Sequence, residues 1–184
     1  KAAHEEGGDG FGGVALLFEE AGELGEAVGD LAGDAGGAAG GVEVQSIAIG
    51  GATLASLWNG SDARNQIASG AFDAVVVQGN SVEPVLAPGE FDQFAALFAA
   101  AIMDAGKDAV WYSTWARRAG DPLYTEYPAL ADPAAMTTNV EARYRTAAAI
   151  HGDLLARVGA AWQIAIAEQP SVALHVSDGS HPTP

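Results

Sequence analysis

The 184 residues carry 24 acidic and 8 basic side chains, a formal net charge of −16, with 49% hydrophobic residues and no cysteine. That charge argues against nucleic acid, whose backbone needs clustered Lys and Arg; only Arg117 and Arg118 sit side by side. An anionic membrane surface is disfavoured for the same reason, and no run of 18 or more apolar residues offers a membrane span. Without cysteine there are no disulfides, no thiolate catalysis and no Cys-ligated zinc, while the compartment stays open. The length fits one domain over 1–184, and the opening Lys1-Ala2-Ala3-His4-Glu5-Glu6 is not a signal peptide.

Residues 1–41 form an atypical segment crowded with Gly, Ala and Glu, and nine of the acidic residues fall in 1–34. Its apolar stretch, 14–18, reads as a short buried strand or as the start of an amphipathic helix through Val14, Leu17, Phe18, Ala21, Leu24, Val28 and Leu31. Residues 24–32 are expected to be helical, weakened by Gly25 and Gly29, and 36–41 to be a connector. From there strands and helices alternate. Strands are expected over 42–49, 74–77, 109–114 and 171–176, and helices over 63–69, 91–105, 136–158 and 160–168. The run Val75-Val76-Val77 suits a strand buried on both faces. Phe91, Phe94, Leu97, Phe98, Ala101 and Ile102 share one helix face. Such alternation predicts an α/β fold with a parallel sheet covered on both faces, and chemistry on the loops at the carboxyl ends of its strands.

Four loops qualify. In Asp178-Gly179-Ser180-His181, an Asp three residues before a His allows the carboxylate to fix the imidazole tautomer, leaving the other ring nitrogen as a general base. Gln78-Gly79-Asn80-Ser81 offers an amide for a developing oxyanion. Gly50-Gly51 permits close backbone approach to a substrate oxygen. Trp115 and Arg117, near Trp111, Tyr112, Tyr124 and Tyr127, can line a pocket for a sugar or an acyl chain, or as easily pack at the rim with the Arg solvated. Each of the first three also reads as a polar turn taken alone. No phosphate-binding glycine loop is present, and His4, His151 and His175 lack metal-ligand spacing, so neither a cofactor nor a metal is implied.

Taken in order, Ser46-Ile-Ala-Ile-Gly-Gly-Ala-Thr-Leu54, Phe72-Asp-Ala-Val-Val-Val-Gln-Gly-Asn-Ser81, Tyr112-Ser-Thr-Trp-Ala-Arg117 and Asp178-Gly-Ser-His-Pro182 resemble the blocks of the SGNH (GDSL-type) hydrolase superfamily, in particular its bacterial esterase-like members. The resemblance covers roughly 42–184. It implies a flavodoxin-like three-layer α/β/α sandwich and hydrolysis of an ester, acyl or acylated-carbohydrate, by Ser-His-Asp chemistry without a cofactor. By position it makes His181 the base, Asp178 its orienting acid, Gly51 and Asn80 the oxyanion donors, and Gln78 a substitute for the glycine of many relatives.

The first block departs from the pattern. The family carries Gly-Asp-Ser or Gly-Asn-Ser after its first strand, and that Ser is the nucleophile; no such triplet stands there in this chain. If 14–18 is the first strand, the block falls on Glu19-Glu20-Ala21 and the nucleophile position is Ala21, without a hydroxyl. The less favoured placement, Gly8-Asp9-Gly10, puts Gly10 there and has no apolar strand before it. The family also continues past the His-containing block into a C-terminal helix, whereas this sequence stops at Pro184: either the helix is absent or the chain is a piece of a longer one. An intact pocket rim without its Ser gives the alternative reading, an inactive module that binds a glycan or small ligand.

Overall fold

The computed structural model describes residues 11–19, 42–150 and 152–183. Five strands form one sheet in the order β2-β1-β3-β4-β5: β1 (Phe11–Glu19), β2 (Val42–Gly50), β3 (Ala74–Gln78), β4 (Asp108–Tyr112) and β5 (Leu154–Ala156). This is the flavodoxin-like order. β3, β4 and β5 pair in parallel. β1 lies antiparallel between β2 and β3. β2 therefore runs the same way as β3, and Gly50, Gln78 and Tyr112 end their strands at one edge of the sheet.

The three later crossovers step across the sheet in one direction, and right-handed connections then put their helices on one face. That layer contains α1 (Leu54–Gly60), α2 (Ala63–Ser69), α4 (Pro88–Asp104) and α6 (Pro133–Ala149). Val75 and Val77 of β3 and Ala109 and Trp111 of β4 enter a core shared with Leu54, Leu57, Ile67, Phe91, Phe98, Met136 and Tyr144. Alternation sends Val76 and Val110 to the opposite face. Phe91 meets the Tyr144 ring edge-on at 5.0 Å, and Trp58 meets Phe98 likewise at 5.0 Å. Such aromatic pairs add about 1 kcal/mol beyond their buried area. α4 buries Phe91, Ala95, Phe98, Ala99 and Ile102, while Leu97, expected on that face, is exposed.

Several expectations are corrected. The stretch 14–18 lies in a strand, but one that opposes its neighbours. The helix expected over 24–32 lies outside the described residues. The run 136–158 is not one helix: α6 ends at Ala149, Gly152 turns the chain at φ +77°, and Asp153 N–H closes on the Ala148 carbonyl at 2.8 Å. The chain then enters the sheet as β5, so that Leu154, Leu155 and Ala156 occupy the place beside β4. Residues 171–176 form no strand; they fold back on 182–183, with one bridge between His175 and Pro182. α7 (Val158–Glu168) follows β5 as expected. α1 was not foreseen, although Thr53 and Ser56 form a capping box at its start and Leu54 and Leu57 are buried.

Candidate active site

The four loops singled out in the sequence meet the structure at one edge. Three follow the carboxyl ends of β2, β3 and β4. The fourth, near the chain end, is bonded onto the loop after β4: Arg118 N–H donates to the Gly179 carbonyl at 2.9 Å, Trp115 Nε1–H to the Ser180 carbonyl at 2.8 Å, and Arg118 Nη2 to the Ser177 carbonyl at 3.1 Å. The His175 ring lies 3.0 Å from the Ala116 carbonyl. Gly179 has φ +74°, a conformation that favours glycine.

Within this turn Asp178 and His181 form a pair. His181 Nδ1 lies 2.6 Å from Asp178 Oδ2, and the other carboxylate oxygen accepts the Ser180 and His181 N–H groups at 2.7 and 3.0 Å. The bond from His181, followed by those two amides, holds the Asp178 carboxyl well below the usual carboxylate range. A charged Asp178 keeps the proton of a neutral imidazole on Nδ1 and the lone pair on Nε2, as a base requires.

Trp115 and Arg117 were expected to line a pocket. The Trp115 indole N–H is spent on Ser180, and its ring stacks on Trp162 with centroids 4.7 Å apart and planes 16° apart. Trp162 meets His175 edge-on at 5.2 Å. Trp115 thus props up the turn that carries His181. The Arg117 carbonyl accepts the Tyr124 hydroxyl at 2.8 Å, and its Nε is buried without a partner. Sequence reasoning missed Trp162, which lies within an apolar helical pattern that gives no sign of its stacking partner.

On the β2 and β3 side, Asn80 Nδ2 donates to the Gly51 carbonyl at 3.2 Å and its Oδ1 accepts the Val82 N–H at 3.0 Å. Gly51 has φ +71°. Gln78, half-buried, is the last residue of β3 and stands opposite Gly13 of β1. Gly79 N–H donates to the buried Tyr144 hydroxyl at 2.7 Å, whose burial keeps it protonated, well above the ordinary phenol range. Glu83, first residue of the short α3 (Glu83–Leu86), accepts the Leu54 and Asn80 N–H groups. Burial first, and then the charge of Glu90, raise its carboxyl from 4.5 to about 7 against the pull of those two amides.

A Cβ at Gly79 would lie 2.7 Å from Glu83 Oε2 and 3.2 Å from Leu54 Cγ. Gly79→Ala is therefore expected to cost about 1–3 kcal/mol, read as a lower urea midpoint at unchanged slope.

The nucleophile is the gap. Ala21 and Gly10, the two positions the resemblance allows, lie outside the described residues. What is described is that β1 ends at Glu19, opposite Val42, away from the edge that holds Gly50 and Gln78. The chain has no Ser, Thr, Tyr or Cys before Ser46. Ser46 pairs with Ala15 in mid-strand. Ser56 bonds Thr53, and Ser113 donates to the Ala156 carbonyl. Ser81 completes a Gly79-Asn80-Ser81 triplet after β3, but its Oγ is buried without a partner. Among the described residues no group of His, Asp or Glu could hold a metal ion, and no helix is long and apolar enough to cross a membrane.

The sheet, of flavodoxin-like order, carries the Asp178–His181 pair and the Asn80–Gly51 contact along one edge. A solved structure of a candidate SGNH hydrolase from Slackia heliotrinireducens is similar, with 31% sequence identity, TM-score 0.61, and coverage of 73% of this chain and 72% of that one. The chain belongs to the SGNH hydrolase superfamily. A DUF4886 family protein from Bacteroides uniformis shares the fold alone, at 15% identity and TM-score 0.51; the match takes in 76% of this chain and about half (51%) of that protein. No protein-family model and no curated protein matches.

Proposed function

We propose that the chain is an ester hydrolase whose Ser-His-Asp machinery retains its base and its oxyanion donors but not its Ser. The observation that carries this reading is the Asp178–His181 pair, 2.6 Å apart and pinned to the loop after β4, on the same sheet edge as Gly51 and Asn80. His181 is the base, Asp178 its orienting acid, and Gly51 and Asn80 stabilise the charge that develops on the carbonyl oxygen. The substrate class is a small or carbohydrate-borne acyl ester, with Gln78 and Arg117 at the pocket rim.

Neither position that the resemblance allows, Ala21 or Gly10, carries a hydroxyl, so the nucleophile left to His181 is water. The imidazole takes a proton as the water oxygen adds to the carbonyl. It returns that proton to the departing alkoxide, so an acid and an alcohol form with no acyl-enzyme. A positioned general base contributes about 10²–10⁴-fold, well short of a complete triad, so turnover is expected to be slow and without a burst.

A chromogenic acetyl ester assayed with the purified chain tests this. Turnover above buffer supports it; none, with a native circular-dichroism spectrum, rejects it. The missing triplet favours one second reading, an inactive binding module. For that reading, calorimetric titration against a glycan panel is expected to show saturable heat where the ester assay shows nothing.

A further inference from the structure

We propose that Glu83 is the positioning residue of the oxyanion cradle, a single carboxylate that sets the spacing between the Gly51 loop and the Asn80 loop. This rests on the reading of Gly51 and Asn80 as oxyanion donors. Leu54, three residues after Gly51, opens α1, and its N–H reaches Glu83 Oε1 and Oε2 at 3.1 and 3.0 Å. The N–H of Asn80 reaches Oε2 at 3.2 Å. One side chain thus grips the backbone of two loops that lie far apart in sequence.

Glu83 is 3% exposed. Among the described residues the other buried acidic side chain, Glu141, is paired with Arg145 and Arg157, whereas no cation bridges Glu83. Burying a carboxylate with only amides to meet it costs several kcal/mol unless every contact is well made. An apolar side chain would seat α3 on the core more cheaply, so the carboxylate's use lies in what it grips. The glycine at 79 fits the same purpose, because any larger residue would displace Glu83.

The remaining polar contacts are arranged around that grip. Asn80 Nδ2 meets the Gly51 carbonyl and Asn80 Oδ1 the Val82 amide, while Gly79 N–H is held by Tyr144. The ionisable groups coupled to Glu83 are Glu90 from α4, whose charge raises it, and Tyr144 from α6, whose proton the Glu83 charge helps to hold. α1, residues 78–82 and the 3-10 turn Pro128–Leu130 present no ionisable side chain. Ionised, Glu83 offers acceptors to both loops at once. Protonated, it turns one oxygen into a donor facing an N–H, and the grip loosens.

The linkage to stability has a definite sign. The folded chain holds the Glu83 proton more tightly than the unfolded chain, with the carboxyl at about 7 rather than 4.5. Its contribution to stability is therefore full below about pH 4.5 and is lost as the pH rises through about 7. Glu83→Gln is expected to remove that slope from the pH dependence of the melting temperature.

The test is a pH series of ¹⁵N–¹H spectra on the full chain and on Glu83→Gln, with acetyl-ester kinetics alongside. The Leu54 and Asn80 amides of the unsubstituted chain are expected to titrate together near pH 7, and to be flat in Glu83→Gln while the remaining resonances persist. In Glu83→Gln, kcat is expected to fall about 10–100-fold with KM little changed, because oxyanion donors act mainly in the transition state. Amides that fail to titrate, or titrate with separate midpoints, overturn the proposal; this arm needs no variant to fold. Turnover unaffected by Glu83→Gln overturns it while leaving the hydrolase reading standing. Joint titration without turnover in the unsubstituted chain instead rejects the hydrolase reading, and with it the catalytic purpose of the grip.

Discussion

His181→Ala is expected to lower acetyl-ester turnover about 100-fold or more, the range that a positioned general base contributes, and to leave the fold intact. The fold survives because the turn is held by contacts that do not need the imidazole: Asp178 Oδ1 still accepts the Ser180 and residue-181 amides, and the main chain remains bonded to Trp115 and Arg118. The base is lost because Nδ1 is the atom fixed by Asp178, so nothing else in the turn presents an oriented basic nitrogen. Initial rates at matched enzyme concentration, with thermal melts as control, check both halves. A rate unchanged by the substitution would assign the chemistry elsewhere.

Gly159→Ala is expected to destabilise the protein by about 1–3 kcal/mol and to reduce turnover with it. Gly159 lies at the start of α7, where its N–H donates to the Ser113 carbonyl at 2.9 Å. A Cβ there would sit 2.4 Å from the Thr114 carbonyl oxygen and 3.4 Å from Thr137 Cγ2. The nearest obstacle is backbone, which cannot rotate aside, so α7 must retreat from the loop after β4. Overpacking of this kind costs about 1–3 kcal/mol, occasionally more. The retreat carries Trp162 away from Trp115, and Trp115 holds the Ser180 carbonyl beside His181. A urea melt reads the first effect and kcat the second. A stable variant with an unshifted midpoint would show that α7 is not tightly seated.

The fold class was legible in the alternation of strands and helices, and two contacts of the candidate site were legible in local spacing. The Asp-x-x-His spacing of 178 and 181 and the glycines and Asn that follow strand-like runs are local signals, and the structure brings each pair together. The helix over 63–69 was readable because Ala63 and Ile67 mark a buried stripe and Gly70 ends it. Strand direction was not legible: the apolar run 14–18 has the same period whichever way it enters the sheet, and β1 enters against its neighbours. β5 was hidden because Leu154 and Leu155 continue the spacing of the apolar residues of α6, with the Gly152-Asp153 turn between them. Glu83 reads as an ordinary polar residue. Its partners are backbone amides brought to it by folding, which leave no residue pattern to find.

The central claim is that Gly51, Asn80 and the Asp178–His181 pair form one site at one sheet edge. The most direct measurement is an NMR titration of the full chain with a methylphosphonate monoester, a stable mimic of the tetrahedral intermediate. The Gly51 and Asn80 amides and the His181 ring resonances are expected to shift together, with a single Kd. Shifts confined to one loop, or different Kd values for the two sides, would contradict it.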